Sequence, residues 1–510
     1  MGIQRLSVAL ATPHHLATAA GHAAVAAGGN AVDAVLAAAA VLAVVHPQDT
    51  SIGGDAVAVV CPPEGRPAAY VGVGRTAAAL DVAAVRGWAG AAMPPRGVTP
   101  VTVPGVVGLW GLLHGAHALR PWALTLRPAI GLAAEGVGVS APLARAIRAE
   151  ADLINADPGL WATLTNAGRA LTVGDRLTQP ALAGTLHRLA EVGATDFYRG
   201  EIGAALVSAL RHRGSALTAE DFGDHRTLVT RPLAAQWGRS QVWVAPPPTQ
   251  GYTLLQLLAA VDRFESGDPL GADAGRLAQL FDVVGADRDA WLADVPSAEQ
   301  PWAEAGVGEL LDRLGSPQLG HRPKAAGDTV AIVAVDSSGL AVSLIQSVFF
   351  TFGSGILDPV TGVLLHNRGA SFQLVEGHRA ELTPGRRPPH TLLPVISSGP
   401  EGITALGTMG GLAQPQILAQ VLLRLRAGGS LQEAVTAPRW TLGTIEHGGR
   451  ELQVESGVGV TSRNSLAQLG WPQVDLPAAN DDVGHAQLAR RGPDGTLSEG
   501  SDPRAAGRVE

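Results

Sequence analysis

The apolar positions of this chain change period along its length. From Thr18 to Val45 they fall at helical spacing, break at Gly28-Gly29 and resume from Asn30. A glycine pair suits a helix C-terminus, and Asn30 or Asp33 a fresh N-terminus, so two successive helices are predicted. SIGGDAVAVVCPP then reads as a glycine turn feeding a short apolar strand, Ala56 to Val60, and AAYVGVG as a second strand ending at Arg75. Between residues 104 and 300 the pattern is mostly helical, as at Val106–Leu119, Leu143–Ile154 and Tyr252–Asp262, with breaks marked by proline, as from Ala245 to Gly251.

From Pro296 to Ala326 the chain is charged and punctuated by Pro and Gly, the texture of a linker. Beyond it the period shortens. TVAIVAVD, a turn at Ser337-Ser338-Gly339 and LAVSLIQSVF predict a β-hairpin. The pieces GVLLH and HTLLPVIS read as further strands. GITALGTMGG is a strand running into a glycine turn and then a helix, Pro415 to Leu425, and the last hairpin turns at Gly492 to Gly495. Helices dominate the first part and strands the second, several of them apolar on both faces. That predicts an α/β (α+β) protein with sheets sandwiched between helix layers.

Composition narrows the function. With 510 residues, 46% hydrophobic and 16% charged, the chain can bury a large core, and its size suggests two or more folding units. A net charge of −8 without long basic runs argues against nucleic acid as the main partner. The single cysteine, Cys61, excludes an intramolecular disulfide and is expected to be a buried or incidental thiol. None of the 15 histidines falls in HExxH or another dense ligand spacing, so no metal or cofactor is expected. Met1 to Ala11 lacks a secretory pattern, and the apolar run Ala34–Val45 is well short of the roughly twenty residues a spanning helix needs. A soluble, cytoplasmic protein with no membrane partner is the expectation.

The hairpin allows a geometric inference. If Asp336 pairs with Leu340, stepping outward places Thr329 opposite Ser347, and a one-residue bulge shifts this by one. Two facing hydroxyls at a strand edge are either a nucleophile and its supporter or an ordinary Thr–Ser pair.

The motifs HHLATAAG, AAGGNAVDAVLAAAAVLAVVHP, SIGGDA, TVPGVVGLW, PPPTQGYTLLQLL, GDTVAIVAVDSSGLAVSLIQS, FGSGI, GRRPPHTLLP, GTMGG, EAVTAPRW and GSDPR occur in one order over most of the chain. In them the chain resembles the γ-glutamyltranspeptidase family, and IQS, NRGASF and PHTLLP resemble its oxamate-amidohydrolase-like and cephalosporin-acylase-like branch. The resemblance implies an N-terminal-nucleophile (Ntn) hydrolase, an αββα four-layer sandwich. It implies a proenzyme (zymogen) cut autocatalytically between Asp328 and Thr329 into a large subunit, 1–328, and a small catalytic subunit, 329–510, which together form one unit that can assemble as a dimer of heterodimers. Thr329 is then the nucleophile and its freed α-amine the base, with Ser347 beside it and the backbone amides of Gly410 and Gly411 receiving the oxyanion. Arg75 matches the arginine that holds a substrate carboxylate.

The departures fall in the substrate pocket. The family's γ-glutamyl enzymes carry Asn where this chain has Phe349. The residues that hold the glutamyl ammonium are replaced by Arg368 and Ser371, and a Ser-Ser pair by His390-Thr391. An ammonium group left unpaired beside Arg368 is disfavoured by several kcal/mol, on the order of the cost of burying an uncompensated charge. The expected function is therefore an amide hydrolase, an acyltransferase-type enzyme acting on a small carboxylate-bearing amide that is not γ-glutamyl. Arg368 has a duller reading, a salt bridge filling the vacated pocket, and His390 can equally be a packed structural histidine. The alternatives are a true γ-glutamyltransferase of glutathione metabolism, a non-maturing binding protein of the same fold and, more distantly, a metallohydrolase.

Overall fold

The computed structural model describes residues 6–90, 92–264, 267–295, 306–315, 328–443 and 450–505. Strand β1 (Val8–Ala11) precedes helices α1 (His15–Ala26) and α2 (Ala31–Val45), split where the glycine pair and Asn30 predict. Asn30 caps α2 through the amides of Val32 and Asp33, and Asp33 answers on the amide of Asn30, a closed capping box. Every residue of α2 is buried, which its Ala and Val composition permits without a polar face. There follow β2 (Asp55–Cys61), β3 (Ala68–Gly72), α3 (Val106–His117), α4 (Trp122–Glu135), β4 (Leu228–Thr230), β5 (Leu233–Trp237), β6 (Ser240–Val244), α5 (Gly251–Val261) and α6 (Ala274–Trp291). The hairpin strands are β7 (Asp328–Asp336) and β8 (Ala341–Phe349); then come β9 (Val395–Gly399), β10 (Gly402–Thr408), α7 (Gln414–Arg426), β11 (Ala486–Arg491) and β12 (Leu497–Ser501).

Two antiparallel six-stranded sheets run β1-β7-β8-β2-β3-β4 and β12-β11-β10-β9-β6-β5. They face each other through short apolar side chains, among them Val57, Val59, Ala331, Val333, Ile396 and Ala405. Helices α1 to α4 cover the outer face of the first sheet, and α5 to α7 that of the second. This is the αββα sandwich. Segments on both sides of Thr329 supply strands to each sheet, so neither half has a complete sheet of its own.

The structure corrects several expectations. The stretch 104–300 is not helical throughout: β4, β5 and β6 lie within it, and β5 and β6 form a hairpin around Gly238 at the edge of the second sheet. The helix expected over Leu143–Ile154 is two, Ala141–Ala149 and Ala151–Ala156, because Glu150 leaves helical geometry (φ −105°, ψ 29°) with its carboxylate on Arg96. Strand β3 stops at Gly72 rather than at Arg75. Of the expected linker, residues 296–305 and 316–326 lie outside the described residues, while Val307–Asp312 is a helix. Cys61 is half-buried at the end of β2. Among the described residues, no helix is long and apolar enough to cross a membrane.

Candidate active site

The hairpin register holds as the turn predicts from Val335↔Ala341 out to Val330↔Gln346, and Asp336 anchors the turn by receiving the amides of Ser338 and Leu340. The next aligned pair is Asp328↔Phe349. Thr329 therefore faces two residues, Ser347 and Val348, across a β-bulge, a device that re-aims side chains at a strand end. Thr329 is fully buried, and its hydroxyl has no hydrogen-bond partner among the described residues. The Ser347 hydroxyl accepts the amide of Phe349 at 2.8 Å, which fixes the bulge from within. On its other side Ser347 pairs with Asp55 of β2.

The glycine turn approaches this point from the second sheet. A β-carbon on Gly407 would meet Ile345 Cδ1 at 2.4 Å and Ala331 Cβ at 3.0 Å, so only glycine lets β10 come this close to β7. Gly410 (φ 137°) and Gly411 (φ 51°) then turn the chain into α7. Among the described residues neither glycine amide donates to another group. Gln250, fully buried, ties this turn to its neighbour: its side-chain amide donates to the carbonyls of Gly411 (2.9 Å) and Thr391 (2.7 Å) and accepts from Arg288 (3.0 Å).

Phe349, Arg368, Ser371 and Thr391 meet. Arg368, 1% exposed, directs Nη2 to Thr391 Oγ1 (3.2 Å) and Nη1 to Ser371 Oγ (3.5 Å), with its guanidinium carbon 3.6 Å from the centre of the Phe349 ring. No carboxylate lies within ion-pair distance of it among the described residues. The salt-bridge reading of Arg368 thus does not describe the pocket. Burial brings its pKa down to about 9, countered by the charge of Asp55, so it remains a cation near neutrality. Phe349, Ser371 and Thr391 line a cavity of about 500 Å³, with Met93, Arg288 and Leu412 on the other walls.

His390 sits behind this wall, between the lining residues Pro389 and Thr391. Its Nδ1 accepts the amide of Leu392 (3.3 Å), so its proton sits on Nε2 and points at Asp55 Oδ2 (3.3 Å). Burial and then the charge of Arg368 push it down to about 3; it is neutral. Asp55 itself was not singled out from the sequence, and neither were His366 and Gln250. Asp55 is fully buried, which raises its carboxyl, yet the charge of His366, the hydrogen bond from His390 and the charge of Arg368 outweigh burial and hold it below the usual range. The signal was present: a carboxylate opening an otherwise apolar strand, DAVAVV, after two glycines.

Arg75 stands apart. Its side chain is exposed, lines no wall of the 500 Å³ cavity and makes no hydrogen bond or ion pair among the described residues, while its carbonyl holds the amide of Val103. It is close enough to Arg387 to help depress that group's pKa, after burial.

A fold of two helix-covered sheets, with a threonine at a bulged strand end beside a glycine turn, has clear relatives. The γ-glutamyltranspeptidase family model matches residues 17–510. The chain belongs to that family. It is 36% identical to the oxamate amidohydrolase proenzyme of Klebsiella pneumoniae, covering 97% of this chain and 96% of that protein. It is 33% identical to the glutathione hydrolase-like YwrD proenzyme of Bacillus subtilis, covering 97% of each. The crystal structure of cephalosporin acylase from Bacillus halodurans superposes with a TM-score of 0.90 at 32% identity, covering all of this chain and 97% of the other. Membership of the γ-glutamyltranspeptidase family makes the chain an Ntn amidohydrolase or acyltransferase made as a proenzyme, with two subunits from one precursor.

Proposed function

We propose that this proenzyme cuts itself between Asp328 and Thr329 and then hydrolyses small amides that carry a carboxylate beside the scissile carbonyl, of the oxamate kind. The observation that carries the substrate class is Arg368: a buried guanidinium with no carboxylate of its own, oriented by two hydroxyls and a ring beside the cavity. A guanidinium in that setting favours a planar anion and repels the ammonium of a γ-glutamyl group.

In this reading the scission frees the α-amine of Thr329, whose unperturbed pKa near 8 suits a general base. The amine takes the hydroxyl proton as Oγ1 attacks the amide carbonyl, and the oxyanion is received by the amides of Gly410 and Gly411. Collapse of the adduct breaks the C–N bond, and the proton passes to the departing amine. Water then attacks the acyl ester with the same base, releasing the dicarboxylate and restoring the hydroxyl. Ser347 supports the nucleophile, and Phe349, Ser371, His390 and Thr391 shape the acyl pocket. Arg75, being exposed, is assigned to steering anions toward the site rather than to contact. Residues 1–328 form the large and 329–510 the small subunit of one folded unit.

The test has two steps. Intact mass and N-terminal sequencing of purified protein should give a smaller fragment beginning at Thr329. The processed protein should then release ammonia from oxamate and leave γ-glutamyl-anilides intact. An uncut chain inert to both substrates would favour the binding-protein reading, and turnover of the anilide would favour the transferase.

A further inference from the structure

Asp55 belongs to no part of the mechanism above, yet it is the node of the pocket behind it. Its Oδ1 accepts the amides of Gly105 (3.1 Å) and Gly74 (3.4 Å), the turns that enter α3 and leave β3. Its Oδ2 faces His390 Nε2 at 3.3 Å and His366 Nδ1 at 3.4 Å, although the His366 approach is out of hydrogen-bond alignment. His366 is itself fixed, Nε2 donating to the carbonyl of Thr102 at 2.9 Å. These two histidines lie on the two segments that build the anion pocket: His366 is two residues before Arg368, and His390 adjoins Thr391. One buried carboxylate thus joins both segments and the floor of the first sheet, where it also pairs with Ser347.

The charge arithmetic points the same way. Arg368 is a buried cation with no anion within ion-pair distance among the described residues, a state that a protein tolerates poorly without a nearby counter-charge. Asp55 is a buried anion whose charge acts on it, and His390, which feels both charges, is neutral. A counter-charge held beyond ion-pair distance balances the guanidinium while its two terminal nitrogens stay on the neutral hydroxyls of Ser371 and Thr391, whereas a direct salt bridge would replace them with a carboxylate.

We propose that Asp55 is a positioning residue for substrate selectivity, which holds His366 and His390 so that Arg368, behind Thr391 and Ser371 of the cavity wall, stays a charge-balanced cation that favours a substrate carboxylate. The proposal rests on the anionic-amide reading given above. It predicts that Asp55 acts on the choice between charged and uncharged amides and not on acyl transfer itself.

The experiment compares oxamate with its uncharged analogue oxamide on processed wild type and Asp55→Asn. The asparagine keeps one oxygen for the glycine amides but turns an N–H toward His390, whose own proton already points there. Expected is a fall of about tenfold or more in the oxamate-to-oxamide ratio of kcat/KM, carried by KM for oxamate, with kcat for oxamide within about threefold of wild type. A ratio unchanged in folded, processed Asp55→Asn, or an equal loss of kcat on both substrates, overturns the proposal. Wild type that does not prefer oxamate removes the underlying reading and the proposal with it, a result distinct from a preference that Asp55→Asn leaves intact. Should Asp55→Asn fail to fold or mature, the double variant Asp55→Asn/Arg368→Met, which removes both buried charges, is expected to recover. A double variant as defective as the single would reduce Asp55 to scaffold for the Gly74 and Gly105 turns.

Discussion

The guanidinium carbon of Arg368 lies 3.6 Å from the centre of the Phe349 ring, and Phe349 holds that ring in place with a left-handed backbone, φ 81°. A bulky residue in that region stores roughly 1–3 kcal/mol of strain. The family's asparagine at this position would adopt the same backbone more easily, so phenylalanine is there for its ring. A desolvated cation–π contact contributes about 2 kcal/mol. Phe349→Leu is expected to raise KM for oxamate by about tenfold with a smaller effect on kcat. Phe349→Gly should lose the same affinity yet melt no lower than Phe349→Leu, because glycine relieves the backbone. Steady-state kinetics and thermal melting of the two variants check this.

Gly411 tests the glycine turn separately from the anion pocket. With φ 51° a side chain there is strained, and the shift in backbone moves the two amides proposed above to receive the oxyanion. Removing one oxyanion donor elsewhere slows turnover by about 10²–10³. Gly411→Ala is expected to lower kcat by about a hundredfold while KM changes little. A rise in KM at constant kcat would assign this turn to binding.

Gln250 makes a third, independent prediction. Its side chain bridges the carbonyls of Thr391 and Gly411 and accepts from Arg288, so Gln250→Leu strands buried polar groups. Each costs about 1–3 kcal/mol when left unsatisfied. The variant should melt several degrees lower, with a lower kcat and a higher KM, because it releases the glycine turn and the Arg368 pocket together. Gln250→Glu should be no better, since a carboxylate cannot donate to either carbonyl.

How much of this was legible in the sequence depends on how far each residue's partners lie along the chain. The hairpin register and the split between α1 and α2 follow from local turn and cap chemistry, and both appear as the residues dictate. The pocket substitutions at Phe349, Arg368, Ser371 and Thr391 were found by resemblance, and the structure brings these side chains together. Strands β5 and β6 were missed because LAAQW and SQVWV are too short to declare a period amid helical neighbours. Asp55 was missed for a different reason: its meaning lies in His390, 335 residues away, and the carboxylate that opens the apolar strand is a signal without its partner. Arg75 is the converse case, a motif match whose side chain the fold leaves exposed.

The buried histidines give the last prediction, on stability against pH. Burial is the leading cause that lowers His390 and His14 to about 3 and His225 and His485 to about 4. An unfolded chain protonates these groups near 6.5, so between about pH 6.5 and 4 it binds more protons than the folded protein. Stability from them is complete above pH 6.5 and is lost as pH falls toward 3–4. Asp481 opposes this: burial raises it to about 6, so its protonation favours the folded state as pH falls through 6. Four imidazoles outweigh one carboxyl. The melting temperature is therefore expected to fall steadily from pH 7 to pH 4.5, and less steeply in His390→Gln, whose amide can still donate to Asp55 without titrating. A flat profile for wild type over that range would mean that these imidazoles are hydrated in solution, and the neutral His390 beside Asp55 would then have to be abandoned.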